Sequence, residues 1–294
     1  MKKRQNSARI MLIASMLIFG TIGIFRRSIA LSSSALAMTR GLIGTAALLL
    51  IVLLCGKKPQ LSALRRAGLP LVLSGAFIGI NWILLFEAYN HTTVAVATLC
   101  YYMAPILVIL VSPFLLREKL TPVRLGCTAA ALVGMLLISG VLSETDSGDP
   151  AGILFGLGAA AFYAAVILMN RKITGVGALE RTIVQLFSAG IVLLPYVFLT
   201  GQANYADLTP VSWGLTLVVC VVHTGLAYAL YFGSMEALPA QTVALCSYLD
   251  PVTAILLSAL LLSEPMGPAQ IAGTVLVLGA AAVSELWGAG RSER

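Results

Sequence analysis

Leu99-Cys100-Tyr101-Tyr102-Met103-Ala104-Pro105 and Leu245-Cys246-Ser247-Tyr248-Leu249-Asp250-Pro251 are two versions of one phrase, set 146 residues apart. In the same register Arg117-Glu118-Lys119-Leu120-Thr121-Pro122 falls on Ser263-Glu264-Pro265-Met266-Gly267-Pro268, Trp82 meets Tyr228 and Phe86 meets Phe232. One offset that returns Cys, Tyr, Pro, Glu and Pro in order is the signature of an internal duplication. The chain is therefore read as two repeats, residues 1–146 and 147–294.

Composition gives the medium in which those repeats fold. Of 294 residues, 59% are hydrophobic and 11% charged, with mean hydropathy +0.95. Soluble domains carry about 25% charge, so lipid is the solvent for most of this chain. Apolar stretches at 10–30, 35–55, 68–89, 94–116, 124–141, 151–170, 178–200, 211–235, 240–262 and 269–287 are each close to the ~20 residues a helix needs to span a bilayer. Barrel strands would alternate in hydrophobicity, whereas Leu107-Val108-Ile109-Leu110 is a continuous apolar run. The expected fold is an all-α membrane protein of ten transmembrane helices. Five helices per repeat is an odd number, so the second repeat enters from the opposite side and the topology is inverted. Such repeats let two packings exchange between the halves, which opens a central site to one side and then to the other.

Cations set the orientation. With the N-terminus in the cytoplasm, the inner segments hold Lys2, Lys3, Arg4, Arg9, Lys57, Lys58, Arg65, Arg66, Arg117, Lys119, Arg124, Arg171, Lys172, Arg181, Arg291 and Arg294, or 16 of the 19 Lys and Arg. Arg26, Arg27 and Arg40 remain, near the outer ends of helices 1 and 2. Both termini are expected on the cytoplasmic side. The start, Met1-Lys2-Lys3-Arg4 before an apolar run, is expected to stay as helix 1: Arg26-Arg27 would lie between a signal core and its cleavage site, and removal would spoil the repeat. Net charge +7 then follows from topology and needs no nucleic-acid partner. Cys55, Cys100, Cys127, Cys220 and Cys246 have no CxxC spacing and no clustered His or carboxylate, so reduced thiols are expected, with no metal and no cofactor.

Chemistry is sought where polarity persists inside the bilayer, because a central charge costs about 2.5–3.5 kcal/mol on insertion scales. Asp250 lies ten residues into helix 9, just before Pro251, and its repeat counterpart is the uncharged Ala104. Cys246, Asp250 and Thr253 would share one helical face. Asp250 is read either as the group that binds a proton or the cationic part of a substrate, or as a buried aspartate hydrogen-bonded to backbone freed by Pro251. Glu87, Asn90 and His91 form a polar face at the outer end of helix 3, and Glu87 with Arg40 at similar depth is read either as an ion pair or as a gating, proton-coupling or substrate-binding set. His223 sits mid-membrane in helix 8 as a candidate proton carrier or a packed neutral imidazole. The rings of Trp82, Tyr101, Tyr102, Tyr163, Tyr228, Tyr231 and Tyr248 would as a set surround a substrate and favour a cation or amine, any single ring being open to a packing role, and the amide of Asn81 would bond either substrate or a neighbouring helix. Pro105 and Pro251 are expected to kink helices 4 and 9, and Glu118 and Glu264 to act at their far ends as hinge or gate residues.

Taken together, Tyr101–Leu125 (YYMAPILVILVSPFLLREKLTPVRL), Ser247–Ile271 (SYLDPVTAILLSALLLSEPMGPAQI) and Ser34–Leu49 (SALAMTRGLIGTAALL) resemble the EamA family of the drug/metabolite transporter superfamily. The resemblance covers essentially the whole chain. It implies secondary active transport of a small organic metabolite, of the amino acid, amine or organic-cation class, frequently by export, from a cavity between two five-helix bundles. It also implies a bacterial cytoplasmic membrane, with the lipid bilayer and a small-molecule substrate as partners, as a monomer or homodimer. The alternatives are a facilitator or exchanger of nucleosides or other neutral solutes, and a non-transporting scaffold or sensor. An enzyme is not expected: the chain has no HExxH, nucleophile elbow or P-loop.

Overall fold

The computed structural model describes residues 2–26, 28–54, 61–139, 141, 149–261 and 267–291. Among them there is no strand, and the helices run α1 (Lys2–Arg26), α2 (Ser33–Leu54), α3 (Leu61–His91), α4 (Val94–Tyr101), α5 (Ala104–Leu116), α6 (Pro122–Ser139), α7 (Pro150–Lys172) and α8 (Ala178–Leu199). There follow α9 (Pro210–Val218), a π-helical segment (Val219–Leu226), α10 (Ala227–Ser234), α11 (Ala240–Cys246), α12 (Leu249–Leu261) and α13 (Pro268–Arg291). Nine continuous or broken helical runs among the described residues are long and apolar enough to cross a membrane. Beyond these nine, α13 contains a further apolar run, Pro268–Ser284.

Helix starts follow from local chemistry. Thr93, Asp149 and Thr209 each turn a side-chain oxygen back to an amide of the first turn of α4, α7 and α9, and Pro150 and Pro210 occupy first positions that need no N–H. The repeat-related Pro122 and Pro268 open α6 and α13 in the same way.

At Pro105 and Pro251 the expected kink is instead a complete break. Proline cannot donate to the carbonyl four residues back, and its ring collides with that carbonyl. Those carbonyls belong to Tyr101, which ends α4, and Ser247, which follows α11. Each proline then sits in the first turn of the next helix, where a missing N–H costs nothing. The break also removes the continuous face expected of Cys246, Asp250 and Thr253: Cys246 ends one helix, while the other two residues ride on the next.

Polarity runs inside out relative to a soluble protein. Phe114, Leu199 and Leu54 stand exposed, whereas Ser74, Asn170 and Gln185 are buried and bonded to one another. Lipid solvates the former, and the interior must satisfy the latter. The packing partners also come in matched sets. α3 lies on α7 as α10 lies on α1, α3 on α8 as the π segment on α2, and α4 and α5 on α7 as α11 and α12 on α1. Two further close pairs, α6 with α13 and α2 with α8, join repeat counterparts directly, while α5 packs on α11 without a matching α4–α12 contact of similar extent. Small residues permit the tightest crossing: a Cβ added to Gly273 would lie 2.5 Å from the carbonyl oxygen of Gly134.

Candidate functional site

The two helix breaks meet near the middle of the bundle. Tyr248 is fully buried, and its hydroxyl donates to the carbonyl oxygen of Tyr102 at 2.9 Å, so a residue of one break satisfies backbone exposed by the other. Beside this contact Asp250 lies in the first turn of α12, its amide bonded to the Ser247 carbonyl at 3.3 Å. It lines a small cavity of about 30 Å³ with Phe19, Tyr101, Tyr102, Tyr163, Pro105 and Ser247. Among the described residues none donates a hydrogen bond to the Asp250 carboxylate. The freed-backbone partner considered from sequence is therefore not what holds it.

Aromatic rings fill the space around the acid. Tyr101 stacks on Tyr163 with centroids 5.5 Å apart, and the Tyr163 hydroxyl donates to that of Tyr231 at 2.9 Å. On the other flank Phe19 meets Tyr228 edge-on at 5.0 Å, and Tyr228 meets Trp82 at 6.2 Å. The series ends at Arg40, whose guanidinium lies 5.4 Å from the Trp82 ring centroid and whose Nε donates to Thr224 Oγ1 at 2.8 Å. Thr224 is offered at that spot by the π segment, where its hydroxyl in turn donates to the carbonyl of Val219, five residues back. Arg40 and Asp250 lie within electrostatic reach of each other without an ion pair between them. One cation and one anion thus stand at opposite flanks of a single aromatic cluster.

This geometry corrects the expected Arg40–Glu87 pair. Glu87 accepts from the Tyr196 hydroxyl at 2.6 Å and from Asn90 Nδ2 at 3.5 Å, with His91 Nε2 at 4.0 Å. Tyr196 on α8 offers a short donor that desolvates no second charge, so Arg40 is left to the interior. His91 also reaches Asp149 Oδ2 at 3.6 Å, which ties the polar face of α3 to the start of α7. Asn81 is 1% exposed and gives its Nδ2 to the Ala159 carbonyl at 2.6 Å; of its two expected roles, substrate contact or bond to a neighbouring helix, the amide here has the second and joins α3 to α7. His223 is held by Thr21 Oγ1 at 2.7 Å from Nε2 and by the edge of Phe25 at 4.8 Å, as a packed imidazole would be.

At the far end of α5, Glu118 accepts from the amides of Ala240 at 2.7 Å and Gln241 at 3.2 Å, which caps α11 with a carboxylate. Arg171 approaches the same oxygen at 3.9 Å, and Gln241 bridges Arg124 and Ser112. The second expected gate residue, Glu264, lies outside the described residues. Sequence reading passes over Gln241, Tyr196 and Thr224, because a single polar residue inside an apolar run has no periodicity to announce it; Arg124 and Arg171 enter there through topology only.

Comparison with known proteins places this arrangement. The EamA-like transporter family matches twice, over residues 6–140 and 150–285. An uncharacterized transporter of Bacillus subtilis (strain 168), YxxF, is 30% identical over 284 residues, covering 96% of this chain and 90% of its own. Protein PecM of Dickeya dadantii (strain 3937) is 28% identical, covering 78% and 77%, and the biotin transporter of Escherichia coli (strain K12) is 22% identical, covering 86% and 84%. A solved crystal structure shares the fold with TM-score 0.84 at 21% identity, over 96% of this chain and 98% of the other. With both halves matched, apolar helices throughout and a polar site between them, the chain is an integral membrane protein and belongs to the EamA-like transporter family.

Proposed function

We propose that this chain is a secondary active transporter of small metabolites that carry an amine, amino acids and similar zwitterions foremost, working by alternating access between two inverted five-helix repeats, residues 1–146 and 147–294. The observation that carries the reading is the Asp250 carboxylate, without a hydrogen-bond donor, in an aromatic cavity at the junction of the two helix breaks. A substrate ammonium would take the place of the missing donor against Asp250 and the faces of Tyr101, Tyr102 and Tyr163. Arg40, across the cluster, suits a substrate carboxylate and favours zwitterions over simple amines. The cavity of this state holds roughly one water, so substrate entry requires the halves to move apart.

Matched packing supports the exchange of conformations: α3 on α7 and α8 has its counterpart in α10 and the π segment on α1 and α2, whereas α5 on α11 has no equal α4–α12 contact in this state. Asp250 is also the proton carrier of this reading, alternately exposed to the two sides. Export is the direction, the bacterial cytoplasmic membrane the location, and the cytoplasm holds both termini, a topology that the sixteen cations of the inner segments favour. The test is uptake of labelled amino acids and amines into proteoliposomes under an imposed pH gradient. Asp250→Asn is expected to abolish gradient-driven uptake while leaving a folded, monodisperse protein. Unchanged uptake, with unchanged pH dependence and apparent affinity, would remove Asp250 from the mechanism.

A further inference from the structure

Away from the aromatic cluster, a cavity of about 380 Å³ opens where the connection between α7 and α8 meets the ends of α1 and α10. Its lining includes Arg4, Arg171, Arg181 and Glu236, with the chain from Ile173 to Gly177 as one wall. Three guanidinium groups thus share one carboxylate of the lining. Glu236 reaches Arg4 at 3.6 Å and Arg181 at 3.7 Å, both beyond hydrogen-bond length. Of two other acids close by, Glu118 stands 3.9 Å from Arg171 and is engaged by the amides of α11, and Glu180 accepts from the Gly177 amide at 3.3 Å.

Arg181 is 2% exposed. Its terminal nitrogens hold the carbonyls of Asn170, Ile173 and Val176, and its Nε is buried with no acceptor. The Nε of Arg171 is also buried without a hydrogen-bond acceptor, 3.9 Å from Glu118 Oε1, while its Nη1 donates to the Met235 carbonyl at 2.8 Å. Two N–H donors left without acceptors, beside a cavity with surplus positive charge, describe a place prepared for an oxyanion. Three guanidinium groups lining one cavity suit a phosphate, with its several oxygens, better than a carboxylate with two. The same wall, Ile173, Thr174 and Gly175, also borders an adjoining cavity of about 630 Å³ lined by Ala67, Pro70, Met169 and Lys172. A ligand with a phosphate and an apolar tail would find both surfaces side by side.

We propose that Arg4, Arg171 and Arg181 form a binding site for a phosphate-bearing anion, the headgroup of an anionic phospholipid or free phosphate, in which Glu236 is the resident competitor. The site lies on the face that the cation distribution assigns to the cytoplasm, where anionic headgroups gather at basic pockets between helices. It does not depend on what the transporter carries.

Isothermal titration of the full chain in a neutral detergent tests this with three probes: dihexanoyl phosphatidylglycerol, dihexanoyl phosphatidylcholine and inorganic phosphate. Phosphatidylglycerol is expected to bind saturably where phosphatidylcholine does not. Arg4→Gln and Arg171→Gln should each weaken that binding about tenfold through loss of a charged donor. Glu236→Gln should tighten it several-fold, an effect opposite to that of general damage. If phosphate alone binds with the same dependence on the three variants, the site stands and its ligand is a soluble anion. Failure of both phosphatidylglycerol and phosphate to bind, or binding unaltered by Arg4→Gln and Glu236→Gln, overturns the proposal. Those two variants change exposed or half-exposed side chains, so they decide the matter even if Arg171→Gln does not fold.

Discussion

Glu118 offers a direct test of how one end of the bundle is closed. Its carboxylate receives two backbone amides from α11, at 2.7 and 3.2 Å, and is mostly buried beside Arg171. Hydrogen bonds to a charged group contribute about 1.5–3 kcal/mol each, and loss of a helix N-cap costs about 0.5–2 kcal/mol. These overlap, since the cap consists of the bonds, so Glu118→Ala should release about 2–4 kcal/mol. If the contact exists only while this end is closed, the closed-to-open ratio falls by roughly 30- to 1000-fold, at tenfold per 1.4 kcal/mol. Glu118→Gln keeps a neutral acceptor and should lose about half as much. The reporter is Ala244→Cys in a background with the native cysteines replaced by serine, since Ala244 is fully buried one turn into α11. Modification of that cysteine by a membrane-impermeant maleimide, added from the Glu118 side, should accelerate in the order native, Gln, Ala. Equal labelling rates in all three, with folding intact, would mean that Glu118 is a static cap and not part of a gate.

Other outcomes follow from contacts already described. Gly75→Val would drive a Cβ to within 2.6 Å of the Gln185 carbonyl and should lower thermal stability by about 1–3 kcal/mol, whereas Gly214→Ala, with open space around it, should be neutral or stabilising; equal melting temperatures for the two would contradict the packing. Arg40→Gln and Glu87→Gln engage different partners, so their effects on stability should add to within about 0.5 kcal/mol, and a strong rescue in the double variant would restore the ion pair that the geometry denies. Thr21→Val leaves His223 Nε2 without its partner and should cost about 1–3 kcal/mol in unfolding experiments. A changed pH profile of transport with unchanged stability would instead return His223 to the pathway.

Much of this fold is readable from the chain because lipid forces the issue. A backbone that has no water must bond within its own segment, so long apolar runs become helices with little competition from other forms. The repeat offset likewise implies that residues 99–105 and 245–251 behave alike, and both become helix breaks. Partner choice is not readable, and Arg40 shows why. Depth alone suggests Glu87, but a pair is decided by which helices face each other. α8 supplies Tyr196 to Glu87, while the π segment supplies Thr224 to Arg40. A π segment inserts one residue per turn without any marker in the sequence of Val219–Leu226, so the position of Thr224 has no precursor that periodicity would detect.

The duplication also explains where the chemistry had to appear. Tyr102 and Tyr248, and Pro105 and Pro251, are equivalent, and they build the two breaks that meet through the Tyr248 hydroxyl and the Tyr102 carbonyl. Residues that make the scaffold are thus the ones the repeats share. The neighbours differ: Ala104 stands opposite Asp250, and Tyr101 opposite Ser247. A symmetric pair of breaks with an aspartate in each would set two unpaired carboxylates close together in a low-dielectric interior, a costly arrangement with a single guanidinium in reach. Divergence at these positions leaves one acid, with an aromatic wall contributed from the other half. Under the proposed alternating-access mechanism, the two halves would exchange as near equals while only one of them binds charge.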